Sequence, residues 1–242
     1  MTTRFLAPTK KEFGKTEQLQ IVILSSTLNY KMKTYGSKFD IKTKHGPLVF
    51  RQALALREKF PNSQLHLCVG ANYNQANKLV KNELSDFDIK LIENHLWKDT
   101  SEIESLRQAM NTIIRPNNLL IVSGDLLFDL DALNIVSKNK SQVSFYEDED
   151  PNEMGLNFNP NTDNKLNGLS FNFTNKWTNL IFLVGDELEL AQRFLVPKNR
   201  TLELWQLLEY ILKYRGSIFC RENHGFIVRA TSPDNLNRIA NL

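Results

Sequence analysis

Four short apolar runs alternate with segments of helical spacing through the first half of the chain, and this constrains the fold most. "QIVILSS" (20–26) is β-branched, ends in small residues and reads as a buried strand entering a loop. "GPLVFRQALALREKF" (46–60) places Leu48, Val49, Ala53, Leu56 and Phe60 at helical spacing behind a Gly-Pro start. "SQLHLCVG" (63–70) alternates and stops at a glycine, which predicts a second strand. "NYNQANKLVKNEL" (72–84) then reads as helix and "DIKLIEN" (88–94) as strand. In "TSEIESLRQAMNTI" (100–113), Ser101 and Glu104 have capping-box spacing and predict a helix start. "NNLLIVSGDLLF" (117–128) supplies a fourth strand ending in Gly-Asp, with Asp129 and Asp131 expected to cap or begin the next helix. This order predicts an α/β fold, a Rossmann-like, mostly parallel sheet flanked by helices. The loops after the first and fourth strands then share the carboxyl edge, where open α/β sheets bind ligands.

The second half changes character. Residues 141–185 carry short alternating runs separated by Asn, Asp, Gly and Pro, which predict an antiparallel extension. "ELELAQRFLV" and "TLELWQLLEYILKYRG" (201–216) read as helices, the latter ending with Gly216 as its cap. The tail reads as one more strand, a turn and a short helix. Residues 1–18 are polar and basic and are expected to form a flexible lead-in, leaving 19–242 as a single domain. A net charge of +3 does not by itself point to nucleic acid, and no run approaches the ~18 apolar residues of a membrane span. The N-terminal charges are not followed by an apolar stretch, so the expectation is a cytoplasmic protein without a signal peptide. Cys68 and Cys220 lie far apart and read as free buried thiols, and the four histidines are too dispersed for a zinc site.

The first of these loops opens the stretch "LSSTLNYKMKTYGSKFDI" (24–41), where Lys31, Lys33 and Lys38 stand among small and polar residues with only Gly36 for flexibility. Three readings are open: a phosphate-binding loop of unusual composition, one that has decayed, or a solvated basic loop. This stretch resembles the L-A-A-G-x-G-S-R-M-K-x-Y-G-P-K-x-L segment of the sugar-phosphate and choline-phosphate nucleotidyltransferases. Lys31, Met32 and Lys33 fall on R-M-K, Tyr35 and Gly36 on Y-G, and Lys38 on the later lysine. Further along, "FRQALALREKFPNSQLHLCVGAN", "ENHLWKDTSEIESLRQAM", "LLIVSGDLLFD", "NKWTNLIFL" and "ATSPDNLNRI" resemble later segments of that family in the same order, so the likeness runs over roughly residues 20 to 240.

The resemblance implies a glycosyltransferase-A-like fold and nucleotidyl transfer. A phosphate oxygen of a small acceptor attacks the α-phosphorus of an NTP, with CTP or UTP as natural donors, and pyrophosphate leaves. It implies that Lys31 neutralises the triphosphate and that Lys38 contacts the α-phosphate or the acceptor phosphate. Ser25, Ser26, Thr27, Asn29 and Gly124 would bind the nucleotide, and Asp125 would hold Mg²⁺, a hard cation suited to carboxylate oxygen. The acceptor would be a sugar phosphate or phosphocholine.

The departures from the pattern fall at the site. Thr27 and Asn29 replace the glycines of G-x-G, Tyr30 takes a usual small position, lysine replaces arginine at Lys31, and Thr231 stands where the family has a second metal-binding aspartate. Thr27, Asn29 and Thr231 favour a rival reading, a non-catalytic descendant serving as a binding or structural subunit, while Lys31, Lys38 and Asp125 favour the enzyme; a homo-oligomer or an assembly partner is a further expectation. A glycosyltransferase on the same fold ranks third, with "DLD" (129–131) as its displaced metal motif. "EDED" (147–150) reads as an exposed acidic loop, and Trp97, Trp177 and Trp205 as core or pocket walls.

Overall fold

The computed structural model describes residues 18–26, 38, 41–114, 116–150 and 153–242. Strand β1 (Gln20–Ser25) is buried from Ile21 to Ser25. Ile21 and Ile23 enter one hydrophobic cluster, Val22 and Leu24 another, so both faces of the strand are covered. That double burial is why the run is continuously apolar. A small hairpin of β2 (Lys42–Thr43) and β3 (Gly46–Pro47) leads into α1 (Leu48–Lys59). There follow β4 (Gln64–Val69), α2 (Tyr73–Glu83), β5 (Ile89–Glu93), α3 (Glu102–Thr112), β6 (Asn118–Ser123) and β7 (Leu126–Phe128). Val49 and Leu56 of α1 and Ala76 of α2 pack on one face, while Ile103, Leu106 and Ala109 of α3 pack on the other.

The parallel pairings are β1 with β4, β4 with β5, and β1 with β6. From β1 the chain therefore runs outward through β4 to β5, then crosses back to lay β6 on the opposite side of β1. A reversal of this kind opens a crevice at the carboxyl ends of the two strands where it occurs. Here those strands are β1 and β6.

The second half comprises β8 (Ser141–Glu147), β9 (Gly155–Asn159), β10 (Lys165–Ser170), β11 (Asn175–Val184), α4 (Gly185–Phe194), α5 (Leu204–Lys213), β12 (Ile218–Glu222), β13 (Ile227–Arg229) and α6 (Pro233–Asn241). The main sheet has the order β5-β4-β1-β6-β11-β8-β12-β10-β9. Strand β11 is antiparallel to both β6 and β8, so the antiparallel extension expected from the sequence joins the parallel half directly. Strands β7 and β13 pair separately, and α6 closes over them through Ile239, packed with Leu48, Leu127, Val228 and Ala230. Among the described residues no helix is long and apolar enough to cross a membrane. Cys68 and Cys220 are free and buried, as expected.

Local details differ from the sequence reading. Ser101 caps α3 by accepting from the Ile103 N–H at 3.1 Å, but its own N–H is satisfied by the Arg200 carbonyl at 3.0 Å. Glu104 is thereby released to pair with Arg107, and the reciprocal capping box forms at Glu203 and Gln206 of α5 instead. At the end of α5, Arg215 rather than Gly216 takes the left-handed conformation, with φ of 66°. Gly216 is required for space, since a Cβ there would lie 2.4 Å from Ile211 Cγ2. No helix follows Asp129 before β8. The Asp129 carboxylate instead accepts from the backbone N–H groups of Asp131, Ala132 and Phe226, fastening a turn to the tail. Asp129 is thus engaged in structure, which weakens the "DLD" reading. The expected lead-in lies outside the described residues except for Gln18.

Candidate functional site

In the β1–β6 pairing Leu24 stands opposite Ser123, so Ser25-Ser26 and Gly124-Asp125 leave the sheet side by side. The Gly124 N–H donates to the Leu24 carbonyl at 2.9 Å. A Cβ on Gly124 would stand 1.9 Å from Ser25 Oγ and 2.7 Å from Leu24 O, so only glycine lets the two strand ends approach this closely. From α1 the buried Gln52 donates to the Ser123 carbonyl at 3.0 Å and the Leu126 carbonyl at 2.7 Å, pinning the turn from its other side. The Asp125 carbonyl accepts from the Ala230 N–H at 2.8 Å, which ties the turn to the tail of the chain.

A four-charge cluster sits on this scaffold. Asp125 is 1% exposed, and its Oδ1 accepts from the Ser123 hydroxyl at 2.6 Å. Its Oδ2 lies 3.3 Å from Lys38 Nζ and 3.4 Å from Arg229 Nε. Lys38 Nζ also lies 2.7 Å from Glu102 Oε1 and 3.3 Å from Ser123 Oγ. The ammonium thus hydrogen-bonds Glu102 and Ser123 and lies at ion-pair distance from Asp125 Oδ2, which is buried and, like Arg229 Nε, makes no hydrogen bond among the described residues. Burial pushes the Asp125 carboxyl up, but Lys38 and Arg229 outweigh it and hold the group well below the usual carboxylate range. Burial likewise opposes the charge on Lys38, and Asp125 with Glu102 reverse that effect, raising its pKa. Arg229 is raised against its own burial by the same two carboxylates and Glu153.

Beside the cluster lies a cavity of about 110 Å³, and Arg229 forms part of its wall. Its other lining includes Tyr146, Trp177, Asp148, Asp150 and Glu153, and the Tyr146 hydroxyl donates to the Glu153 carboxylate. The acidic run at 147–150 is largely exposed, as expected, yet two of its residues border this cavity.

Of the residues singled out from the sequence, Ser25, Gly124, Asp125 and Lys38 come together at the crevice. The Ser25 hydroxyl is buried and has no hydrogen-bond partner among the described residues, whereas Ser26 bonds to the Ser105 hydroxyl of α3 and serves packing there. Lys31, Thr27, Asn29 and Tyr30 lie outside the described residues. Thr231 is held locally, its N–H donating to the Arg229 carbonyl at 2.9 Å. Glu102, Ser123, Gln52 and Arg229 were not singled out. For Arg229 a signal existed: a charged residue ending the apolar run "GFIVR", which packing alone does not explain.

The residues present do not fit a resident Mg²⁺ in this arrangement. Among the described residues no group of three or more His, Cys, Asp or Glu side chains could hold a metal. Asp125 Oδ1 accepts from Ser123, and Oδ2, though it makes no hydrogen bond among the described residues, has Lys38 Nζ at 3.3 Å and Arg229 Nε at 3.4 Å, so a dication bound there would require displacing Lys38.

No protein-family model and no curated protein matches the chain. The structure, by contrast, is similar to that of the inositol-1-phosphate CTP transferase from T. maritima. The TM-score is 0.72 at 15% identity over 92% of this chain and 93% of that one. It is also similar to the CTP:phosphocholine cytidylyltransferase from Streptococcus pneumoniae, with TM-score 0.71 and 16% identity over 92% of this chain and 98% of that one. A nucleoside-diphosphate-sugar pyrophosphorylase from Vibrio cholerae RC9 gives 0.71 at 13% identity, over 91% of this chain and 99% of that one. At these identities the likeness is one of fold, and the fold is that of the sugar- and choline-phosphate nucleotidyltransferases.

Proposed function

We propose that this chain transfers a nucleotidyl group from CTP or UTP to a small phosphorylated acceptor. In that reaction an acceptor phosphate oxygen forms a bond to the α-phosphorus, the bond from the α-phosphorus to the bridging oxygen breaks, and pyrophosphate leaves. The observation that carries the reading is the convergence of Ser25, Gly124, Asp125 and Lys38 at the sheet's point of reversal, next to a cavity of about 110 Å³. The triphosphate would lie over the ends of β1 and β6, where the Ser25 hydroxyl, without a hydrogen-bond partner among the described residues, can donate to it; its neutralisation is the role that the resemblance gives Lys31. The acceptor would occupy the cavity. Asp148 and Glu153 with Tyr146 and Trp177 in its lining offer carboxylates and aromatic rings to a cationic head such as that of phosphocholine, and Arg229 and Arg238 in the same wall offer positive charge to the acceptor's phosphate. Mg²⁺, expected from the resemblance, enters this reading only as the counterion of the triphosphate. No step passes through a protein-held metal.

A second reading, a non-catalytic descendant that binds or assembles, is favoured by the double engagement of Asp125 with Lys38 and Arg229. Two assays on the purified chain separate them. The first is thermal shift with CTP, UTP, GTP, ATP and dTTP, and the second is pyrophosphate release with phosphocholine or a hexose 1-phosphate. A nucleotide at ~100 times its dissociation constant stabilises the fold by about 2.7 kcal/mol. A shift with CTP or UTP together with pyrophosphate release supports the transferase. A shift without release supports the non-catalytic reading, and no shift with any nucleotide overturns the nucleotide site itself.

A further inference from the structure

The cluster at Asp125 has the composition of a cation site that already contains its cation. Glu102 Oε1, Ser123 Oγ and Asp125 Oδ2 converge on one point from α3 and the end of β6, and the atom at that point is Lys38 Nζ, at 2.7, 3.3 and 3.3 Å. Lys38 is 7% exposed and the Asp125 side chain 1%, so bulk water does little to screen these charges. Arg229 Nε closes the other approach to the same Asp125 oxygen at 3.4 Å. Among the described residues in ion-pair contact here, two cations offset two carboxylates. A divalent ion arriving at Asp125 would meet Lys38 and Arg229 at close range, and it would still have to shed part of its water shell.

We propose that Lys38 is the resident cation of a buried seat formed by Glu102, Ser123 and Asp125, and that Arg229 seals it, so the chain holds no divalent metal at the position where the resemblance places Mg²⁺. The ammonium does structurally what a metal would do, bridging α3 to the end of β6. It does so with one charge and without open coordination positions. The seat keeps the oxygen chemistry of a hard-cation site, so removing the ammonium converts it into one. This inference concerns the cluster alone and does not depend on nucleotide transfer.

The test is titration of the full chain with Mn²⁺ and no nucleotide, reading free Mn²⁺ by electron paramagnetic resonance. In the wild-type chain, Mn²⁺ at up to about 1 mM, the weak end of oxygen-ligand sites, is expected to show no binding that depends on Asp125. In Lys38→Ala, one equivalent is expected to bind at least about 10-fold more tightly than to the wild type, and Lys38→Ala/Asp125→Asn is expected to lose it. Lys38→Gln, which keeps the volume and a hydrogen-bond donor, serves in its place if circular dichroism shows Lys38→Ala unfolded. Stoichiometric binding by the wild type that Asp125→Asn abolishes overturns the proposal. So does a folded Lys38 variant that takes up no Mn²⁺ beyond the wild type. A chain that binds no nucleotide at all defeats the transferase reading and leaves this result standing.

Discussion

Replacing Lys38 with methionine removes the charge but keeps most of the chain length, so its effect isolates the ammonium. At an effective dielectric of ~20, the 3.3 Å approach of Lys38 to Asp125 is worth roughly 5 kcal/mol before desolvation is subtracted. Breaking a buried pair from one side generally costs about 3–5 kcal/mol, because a charge is left behind without its partner. Arg229 remains 3.4 Å from Asp125, which places the expected loss near the lower end, about 3 kcal/mol. For a chain of 242 residues, that lowers the melting temperature by about 6–12 °C. The pH dependence gives a second readout. In the wild type the depressed Asp125 contributes stability that is present above the ordinary carboxylate range and is lost as pH falls through and below it. Without Lys38 the upward push of burial is less opposed, so the folded variant takes up its proton at higher pH than the wild type does. The penalty of the substitution therefore shrinks as pH falls from 7 towards 4. Urea denaturation of both proteins at pH 7 and pH 4.5 measures it. A penalty below ~0.5 kcal/mol, or one indifferent to pH, would refute the claim that a buried ion pair organises this site.

Three further outcomes are expected. Gly124→Ala sets a methyl 2.7 Å from the Leu24 carbonyl and should cost about 1–3 kcal/mol in urea denaturation, while also parting the ends of β1 and β6. Burial, and then Lys90, push His66 down to about 4, and its Nδ1 is buried without a hydrogen-bond partner among the described residues. The unfolded chain binds this proton more readily, so stability should fall by about 2 kcal/mol as pH drops from 6.5 to 4. His66→Gln should flatten that part of the pH–stability curve. Arg215→Gly relieves a φ of 66° after α5 and should raise stability by about 0.5 kcal/mol, read as an upward shift in the denaturation midpoint.

The alternation of strand and helix was legible because each run had to be apolar on the faces it buries. Val22 and Leu24 belong to the hydrophobic cluster on the α3 side and Ile21 and Ile23 to the one that includes α1 and α2, so a strand covered twice declares itself by composition. The carboxyl edge at which the ends of β1 and β6 lie side by side was legible from the same alternation, and the candidate site is drawn there. The Ser101–Glu104 spacing misled because the amide it would have satisfied is taken by Arg200, a residue distant in sequence. Asp125 was visible in the sequence as the aspartate of a Gly-Asp turn, and Lys38 as the last lysine of a basic stretch. What they do to one another was not. Lys38, Glu102, Asp125 and Arg229 come from four separate segments, and no spacing rule links them. Local sequence determines which faces are buried, because burial is a property of each side chain and its near neighbours. Whether a carboxylate is left to hold a ligand depends on which cations the completed fold brings within about 4 Å of it, and here only the tertiary structure settles that.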